Sequence, residues 1–168
     1  MGIFSKDIRS MEDLFLHVLQ DVYYAENQIL KALPDMVDKA TTRELTAAFK
    51  DHLDETRQQI SRLDQVFELI GEKPKGTACP AIDGILKEAR EIAGDISDKY
   101  VLDAALIAAA QAVEHYEITR YGTLIAWAGQ LDRDAVSRLL ARTLAEEEAT
   151  DRKLSKLAVA KVNMRAAG

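Results

Sequence analysis

The sequence predicts an all-α protein, a four-helix bundle whose two helical hairpins are joined by a long crossover connection containing an extra short helix. Apolar residues make up 48% of the 168 residues, and only 8 glycines and 3 prolines interrupt the chain. In four long stretches the apolar residues recur at the helical period, so each stretch places them on one face. The chain is long enough to bury a substantial core, and residues 1–168 are expected to form one domain.

The first hairpin is predicted from its helix boundaries. The first helix should begin near Ser10, which can cap it and which acidic residues follow. Pro34 is expected to kink this helix or to end its regular part early. Thr41 and Glu44 have the spacing of a capping box for the second helix, and Gly71 should end that helix.

The long connection and the second hairpin follow from the positions of glycine and proline. Residues 71–80 hold two of the three prolines and two glycines, which predicts a loop, and a short amphipathic helix follows over about 81–93. A long helix should start near Ser97 or Asp98, a tight connection spans 129–134, and the last helix runs from about Asp134 to Ala158. Residues 1–9 and 164–168 are expected to be flexible. Two hairpins joined by one long connection have the topology of ferritin-like bundles.

Carboxylates interrupt the apolar stripe of every long helix. The clearest positions are Glu26, Glu55, Glu114 with Glu117, and Glu147 with Asp151. A buried carboxylate is unfavourable unless it is paired, protonated or bound to metal. Because 29 residues separate Glu26 from Glu55 and 30 separate Glu117 from Glu147, antiparallel pairing should bring each pair to one level of the core. Oxygen ligands of this kind suit iron or manganese, so the pattern predicts a dinuclear metal site.

The histidine and tyrosine positions leave alternatives open. Di-iron bundles usually carry Glu-x-x-His on two helices, whereas here His52 precedes Glu55 and the last helix has no histidine. His52 is either a direct ligand or a residue that supports one, and each single glutamate could instead reach solvent or an arginine. Tyr23 and Tyr121 lie one turn from predicted ligands, where they either pack as buried aromatics, donate hydrogen bonds to the carboxylates or carry a radical.

Charge and composition argue against several classes of function. The net charge is −6 and no block of lysine and arginine stands out, so neither nucleic acid nor an anionic membrane is an expected partner. No apolar run reaches membrane-spanning length, and the N-terminus lacks the apolar core of a secretory signal. Cys79 is the single cysteine, which rules out an internal disulfide. A cytoplasmic location is therefore expected.

Six short strings carry a resemblance to a known family. They are Ala25-Glu26-x-Gln28, His52-Leu53-x-Glu55-Thr56, residues 103–111, Val113-Glu-His-Tyr-Glu-Ile118, Tyr121-Gly-Thr-Leu124 and Glu146-Glu147-x-Ala149-Thr150-Asp151. From about Ser10 to Asn163 the chain resembles the YciF/YciE-type bacterial stress-response proteins, and it is closer to the YciF branch. The resemblance implies a ferritin-like and rubrerythrin-like fold, a dinuclear iron site and a homodimer. It also implies a set of candidate ligands, namely Glu26, Glu55, Glu114, Glu117 and Glu147, with His52 and Asp151 as further ligands or supporting residues.

Two functions of different classes are compatible with the sequence. The first is a non-haem protein that binds two iron ions, with manganese as the alternative, and reacts with oxygen or peroxide as a peroxidase or ferroxidase does. With no Cys-x-x-Cys module in the chain, its electrons would come from a separate donor protein. The second is a structural or interaction bundle without catalytic turnover, in which the carboxylates hold protons or pair with arginine. A manganese-catalase-like activity is a weaker third reading, because such sites keep histidines.

Overall fold

The computed structural model describes residues 7–168, and within this range the regular secondary structure is helical, with no β-strand. The helices are α1 (Met11–Lys39), α2 (Arg43–Ile70), α3 (Pro80–Asp95), α4 (Lys99–Gln130) and α5 (Asp134–Leu157). A π-helical turn, Ala158–Val162, and a short helix α6, Asn163–Ala166, continue α5. The all-α prediction is therefore confirmed. The expected flexibility of residues 1–9 and 164–168 stays a prediction, since residues 1–6 lie outside the described range.

Helix α1 begins as predicted but does not end at its proline. Ser10 caps the helix, accepting a hydrogen bond from the Asp13 amide at 3.0 Å, while the Asp13 carboxylate accepts one from the Ser10 amide at 3.1 Å. This reciprocal arrangement is a capping box. Pro34 is accommodated inside the helix, which continues to Lys39. Of the two predicted outcomes the early end is therefore wrong, and the kink stays a prediction.

The capping box predicted for Thr41 and Glu44 is also wrong. The N-cap of α2 is Thr42, and its side chain makes no capping hydrogen bond. Instead the fully buried carboxylate of Asp103 in α4 accepts hydrogen bonds from the amides of Thr41 at 2.7 Å and Thr42 at 2.9 Å. It also accepts one from the Thr41 hydroxyl at 3.0 Å. A carboxylate from a neighbouring helix therefore replaces the local cap and ties the turn of the first hairpin to the start of α4.

The crossover connection leaves α2 at a glycine and then runs along α1. Gly71 adopts the left-handed conformation, with a φ of 75°, at the C-terminus of α2, as predicted. Farther on, Gly76 passes so close to α1 that a Cβ atom there would lie 3.0 Å from the Cβ of Tyr24. The Thr77 amide donates to the Gln20 carbonyl at 3.2 Å. These contacts hold the connection against α1 and deliver α3 to its place against α1 and α4.

Two apolar clusters at opposite ends of the bundle establish its topology. One joins the start of α1, the end of α2, the end of α4 and the start of α5, and includes Phe15, Phe67, Leu124 and Leu140. The other joins the opposite ends of these helices, and includes Phe49, Ile107 and Leu154. Helices α1 and α2 are thus antiparallel, as are α4 and α5, while α2 and α4 point the same way, so the crossover must traverse the bundle. None of the helices in residues 7–168 combines the length and apolar character that a membrane span requires.

Candidate metal centre

A layer of ionisable side chains separates the two apolar clusters at mid-bundle. His52 of α2, Glu114 and Glu117 of α4, and Glu147 of α5 each offer one potential ligand atom, and these atoms all lie within 4.8 Å of one another. None of the four residues is more than 2% exposed. We call these four residues the acidic cluster. Glutamates predicted on separate helices are therefore brought together in the core.

The local sequence explains why these side chains face inward. Glu114 and Glu117 are three residues apart on α4, which places them on one helical face. Helix α4 packs against α1, α3 and α5, so more of its circumference is buried than in a helix at the edge of a bundle. His52 continues the buried face of α2 between Phe49 and Gln59. Glu147 does the same on α5 between Leu140 and Leu154.

Glu26 extends the acidic cluster to α1. The Tyr121 hydroxyl donates to Glu26 Oε1 at 2.5 Å, and both residues are completely buried. The carboxyl groups of Glu26 and Glu117 are close enough to share a proton in a hydrogen bond. All four long helices thus contribute a titratable group to this layer. Of the two roles open to Tyr121 from the sequence, the structure places it in contact with a carboxylate.

Burial dominates the protonation of this layer. It raises the pKa of Glu114 to about 11 and that of Glu147 to about 7. Burial, followed by the neighbouring carboxylate charges, raises the pKa of Glu26 and of Glu117 well above the ordinary value. Burial also lowers the pKa of His52 to about 4. Without a cation at neutral pH, this layer therefore holds carboxyl protons beside a neutral imidazole.

Many polar atoms of the acidic cluster have no hydrogen-bond partner when its carboxyl groups are ionised. Within the described part of the chain, both carboxylate oxygens of Glu114, Glu117 and Glu147 lack a hydrogen-bond partner, and so do both ring nitrogens of His52. His52 Nδ1 lies 3.1 Å from Glu114 Oε1, but the contact does not have hydrogen-bond geometry. Only carboxyl groups that share a proton can satisfy these oxygens from within the protein. Buried polar atoms left unpaired are costly, and carboxylate oxygens with one imidazole suit iron or manganese, so the residues fit a metal site.

An arginine partner does not neutralise the acidic cluster. The nearby Arg62 is 5% exposed, and its guanidinium forms a two-pronged ion pair with Glu146, at 2.9 and 3.0 Å. It also donates to the Thr143 hydroxyl at 2.6 Å. Across residues 7–168, no lysine or arginine forms an ion pair with a carboxylate of the cluster. This pair was not predicted from the sequence, although Arg62 lies on the buried face of α2 next to Leu63.

Glu55, predicted as a ligand, lies beside the acidic cluster rather than in it. Its side chain is half-buried at the seam between α2 and α5, where Oε2 accepts a hydrogen bond from the Thr150 hydroxyl at 3.2 Å. Its charge is near enough to raise the pKa of Glu147. His52 is the residue that α2 contributes to the cluster, and the predicted level pairing of Glu26 with Glu55 stays a prediction. The role of Glu55 as a ligand stays a prediction.

Asp151 and Tyr23 lie farther from the acidic cluster. Asp151 accepts a hydrogen bond from the Gln111 amide at 2.9 Å, and His115 Nε2 is 3.3 Å from the same oxygen. Tyr23 packs edge-on against Phe67 at a ring-centre distance of 5.4 Å. Asp151 is not one of the four residues whose ligand atoms lie within 4.8 Å of one another, although its charge contributes to raising the pKa of Glu114. Their predicted roles as ligands or supporting residues remain predictions.

Comparisons with known proteins agree with this architecture. Residues 10–167 match a family described as "Domain of unknown function (DUF892)". Protein YciF of Escherichia coli (strain K12) is 45% identical over 161 residues, which cover 95% of this chain and 97% of YciF. The solved structure of YcfI from Rhodopseudomonas palustris, proposed as a structural protein, is 60% identical and has a TM-score of 0.89 over 91% of this chain and 98% of YcfI. The crystal structure of the E. coli stress protein YciF also has a TM-score of 0.89, at 46% identity, over 93% of this chain and 99% of that one.

Proposed function

This chain belongs to the family described as "Domain of unknown function (DUF892)", and from that premise we propose that it is a stress-response protein that binds two metal ions. Iron is the proposed metal and manganese the alternative. The observation that carries the proposal is the acidic cluster, in which four buried side chains lie within 4.8 Å of one another without a neutralising lysine or arginine in the described residues. The homology to the stress protein YciF supports the physiological part of the proposal.

The proposed ligands divide between two positions. His52, Glu114, Glu117 and Glu147 would hold one ion, because each offers a ligand atom to the same small volume. Glu26 would extend the site to a second ion, since it adjoins Glu117 and its second oxygen has no hydrogen-bond partner among the described residues. Metal uptake would require the carboxyl groups to lose the protons that burial otherwise keeps on them.

The chain's own residues would prepare this site for redox chemistry. Bound iron would supply a redox couple able to react with oxygen or peroxide. Tyr121 orients Glu26 through its short hydrogen bond, and the two apolar clusters exclude water from both ends of the site. Because Cys79 is the single cysteine, an electron donor would be a separate protein. We further propose that the protein is a homodimer located in the cytoplasm.

Metal content tests the proposal directly. The stripped protein is reconstituted with ferrous iron or with manganese, and the bound metal is measured by elemental mass spectrometry. We expect about two ions per chain, and the double substitution of Glu114→Gln and Glu117→Gln should abolish most of the binding. Glu148→Gln is the matched control, because Glu148 is partly exposed and pairs with Arg152 at 3.5 Å. A folded wild-type protein without metal, or full binding by the double variant, would contradict the proposal.

A metal-free structural bundle is the second candidate. It is favoured by the Tyr121–Glu26 hydrogen bond and by the high pKa values of the buried carboxyl groups, because shared protons can satisfy the cluster without a cation. The relative YcfI is itself proposed as a structural protein. This candidate predicts a stable metal-free protein that consumes no more peroxide than the same amount of ferrous iron consumes without protein. Peroxide consumption by the reconstituted protein, lost in the double variant, would exclude it.

A further inference from the structure

A cleft of about 610 Å³ lies on the outer side of the bundle between α1 and α3, and it shares no residue with the acidic cluster. Its floor is apolar and includes Met36 of α1, Leu86 of α3 and Leu106 of α4. The volume falls in the range of small-molecule sites. A cleft of this size with an apolar floor has the form of a binding site for a molecule with an apolar portion.

The lining of this cleft carries more positive than negative side chains, with Lys31, Lys39, Lys87 and Arg90 against Asp35 and Asp83. Lys31 and Arg90 line it, are exposed, and form no ion pair with any residue in 7–168. Lys87 also lines it, and its nearest carboxylate is the exposed Glu91 at 3.6 Å. This concentration of cations contrasts with the net charge of −6 of the whole chain.

The two carboxylates at the cleft already have partners. Asp35 pairs with Lys39 at 2.5 Å. Asp83 accepts the hydroxyl hydrogen bond of Tyr24 at 3.0 Å. The four cations of the lining still outnumber these two carboxylates, so the rim is suited to an anion.

We propose that the cleft binds a free aliphatic carboxylate of the fatty-acid class. The chain would cover the apolar floor, and the carboxylate would lie among Lys31, Lys87 and Arg90, whose long side chains can follow the floor and present their charges at the rim. The lining residues of α1 extend from Gln28 to Lys39, a length of roughly 16 Å at about 1.5 Å per residue. This length suits an extended chain such as that of dodecanoate.

Both parts of the ligand follow from the geometry. A small hydrophilic anion would neutralise the rim but leave Met36, Leu86 and Leu106 uncovered. A neutral aliphatic molecule would cover the floor but leave the cations without a counter-charge. An aliphatic carboxylate satisfies both surfaces with one molecule. The inference is independent of the proposed metal site, because the cleft and the acidic cluster have no residue in common.

Titration of the full-length protein with dodecanoate, kept below its micelle concentration, tests the proposal. Calorimetry measures the affinity, and the methyl signals of methionine in a ¹³C NMR spectrum report the location. We expect one saturable site and a shift of the Met36 signal, with Met11 and Met164 unchanged because these exposed residues do not line the cleft. No binding, or equal shifts of all three signals, would overturn the proposal.

Matched variants separate the cleft from general adsorption of a fatty acid. The double substitution of Lys31→Gln and Arg90→Gln should weaken dodecanoate binding about tenfold. Substituting Lys50→Gln and Arg142→Gln removes the same charges at exposed positions outside the cleft and should leave the affinity unchanged. Ala89→Trp should block the site from α3 while the circular dichroism stays helical. Equal weakening in both charge variants would overturn the proposal.

Dodecanol and acetate test which parts of the ligand the cleft requires, and vesicles test whether the ligand is a membrane lipid. Dodecanol and acetate should each bind at least tenfold more weakly than dodecanoate, because each satisfies only one of the two surfaces. Vesicles containing phosphatidylglycerol should not compete for the Met36 signal. Vesicle binding without dodecanoate binding would assign the cleft to a membrane lipid and would overturn the proposal for a free carboxylate.

Discussion

Replacing Glu147 by glutamine should change how the stability of the metal-free protein depends on pH. The folded protein holds the Glu147 pKa at about 7, against an ordinary value of 4.5, and the His52 pKa at about 4, against 6.5. Between pH 4.5 and 7 the folded state keeps a proton on Glu147 that the unfolded state releases, so this residue lowers the free energy of unfolding as pH rises. Between pH 4 and 6.5 the imidazole of residue 52 binds a proton in the unfolded state but not in the folded state. His52 therefore raises the free energy of unfolding as pH rises.

The effects of Glu147 and His52 on the wild-type protein are similar in size and opposite in sign. From pH 5.5 to 6.5, a full proton difference would be worth about 1.4 kcal/mol, and partial titration reduces each contribution to about 1 kcal/mol. Over this range Glu147 lowers the free energy of unfolding by about 1 kcal/mol, and His52 raises it by about 1 kcal/mol. Removing the Glu147 titration should therefore remove one decrease and leave the contributions of His52 and of the other buried carboxyl groups in place. Relative to wild type, Glu147→Gln should gain about 1 kcal/mol over this pH unit.

Urea unfolding in the presence of a chelator measures this difference. Free energies of unfolding are compared at pH 5.5, 6.0 and 6.5 for the wild type, for Glu147→Gln and for Glu148→Gln, and far-ultraviolet circular dichroism monitors unfolding. Glu148→Gln should follow the wild type because Glu148 is partly exposed. His52→Gln should show the opposite trend and lose about 1 kcal/mol relative to wild type. Parallel curves for the wild type and Glu147→Gln would refute the reasoning.

Three other predictions follow from contacts in the bundle. Tyr121→Phe leaves the buried Glu26 oxygen without its donor and should lower the free energy of unfolding in urea by about 1–3 kcal/mol. The control Tyr24→Phe loses a hydrogen bond to an exposed carboxylate and should lower it less. Equal losses in the two variants would contradict the argument. Asp103→Asn removes an acceptor from the start of α2 and should cost about 1–2 kcal/mol by the same assay, so unchanged stability would contradict its capping role. Apparent metal affinity, measured against a competing chelator, should rise from pH 6 to 8 because Glu114 must lose its proton; affinity independent of pH would count against the site.

The fold was predictable because its signals are local. Ser10 caps α1 and Gly71 ends α2 through interactions within one turn of chain, which the sequence displays directly. The capping box of Thr41 and Glu44 failed because a distant residue, Asp103, supplies a stronger acceptor. Only the packing of α4 against the first hairpin reveals that competitor.

The chemistry of the candidate site could be predicted from the sequence, but not which residues form it. Carboxylates on apolar stripes indicated a buried acidic layer, because burial of such groups is costly without compensation. Stripe position alone does not distinguish His52 from Glu55, since residues three apart share a helical face and only side-chain packing decides which of them reaches the centre. The pairing of Arg62 with Glu146 likewise depends on the contact between α2 and α5, for which the sequence has no local signal.

The distribution of the buried groups over the two hairpins has a consequence for how the molecule assembles. Glu26 and His52 belong to the first hairpin, whereas Glu114, Glu117 and Glu147 belong to the second. Contacts within a hairpin join residues nearer in sequence than contacts between the hairpins do, so we expect the hairpins to form first. A chain whose two hairpins have not docked therefore offers a metal ion an incomplete set of ligands. Metal binding would then require that the two hairpins have packed together.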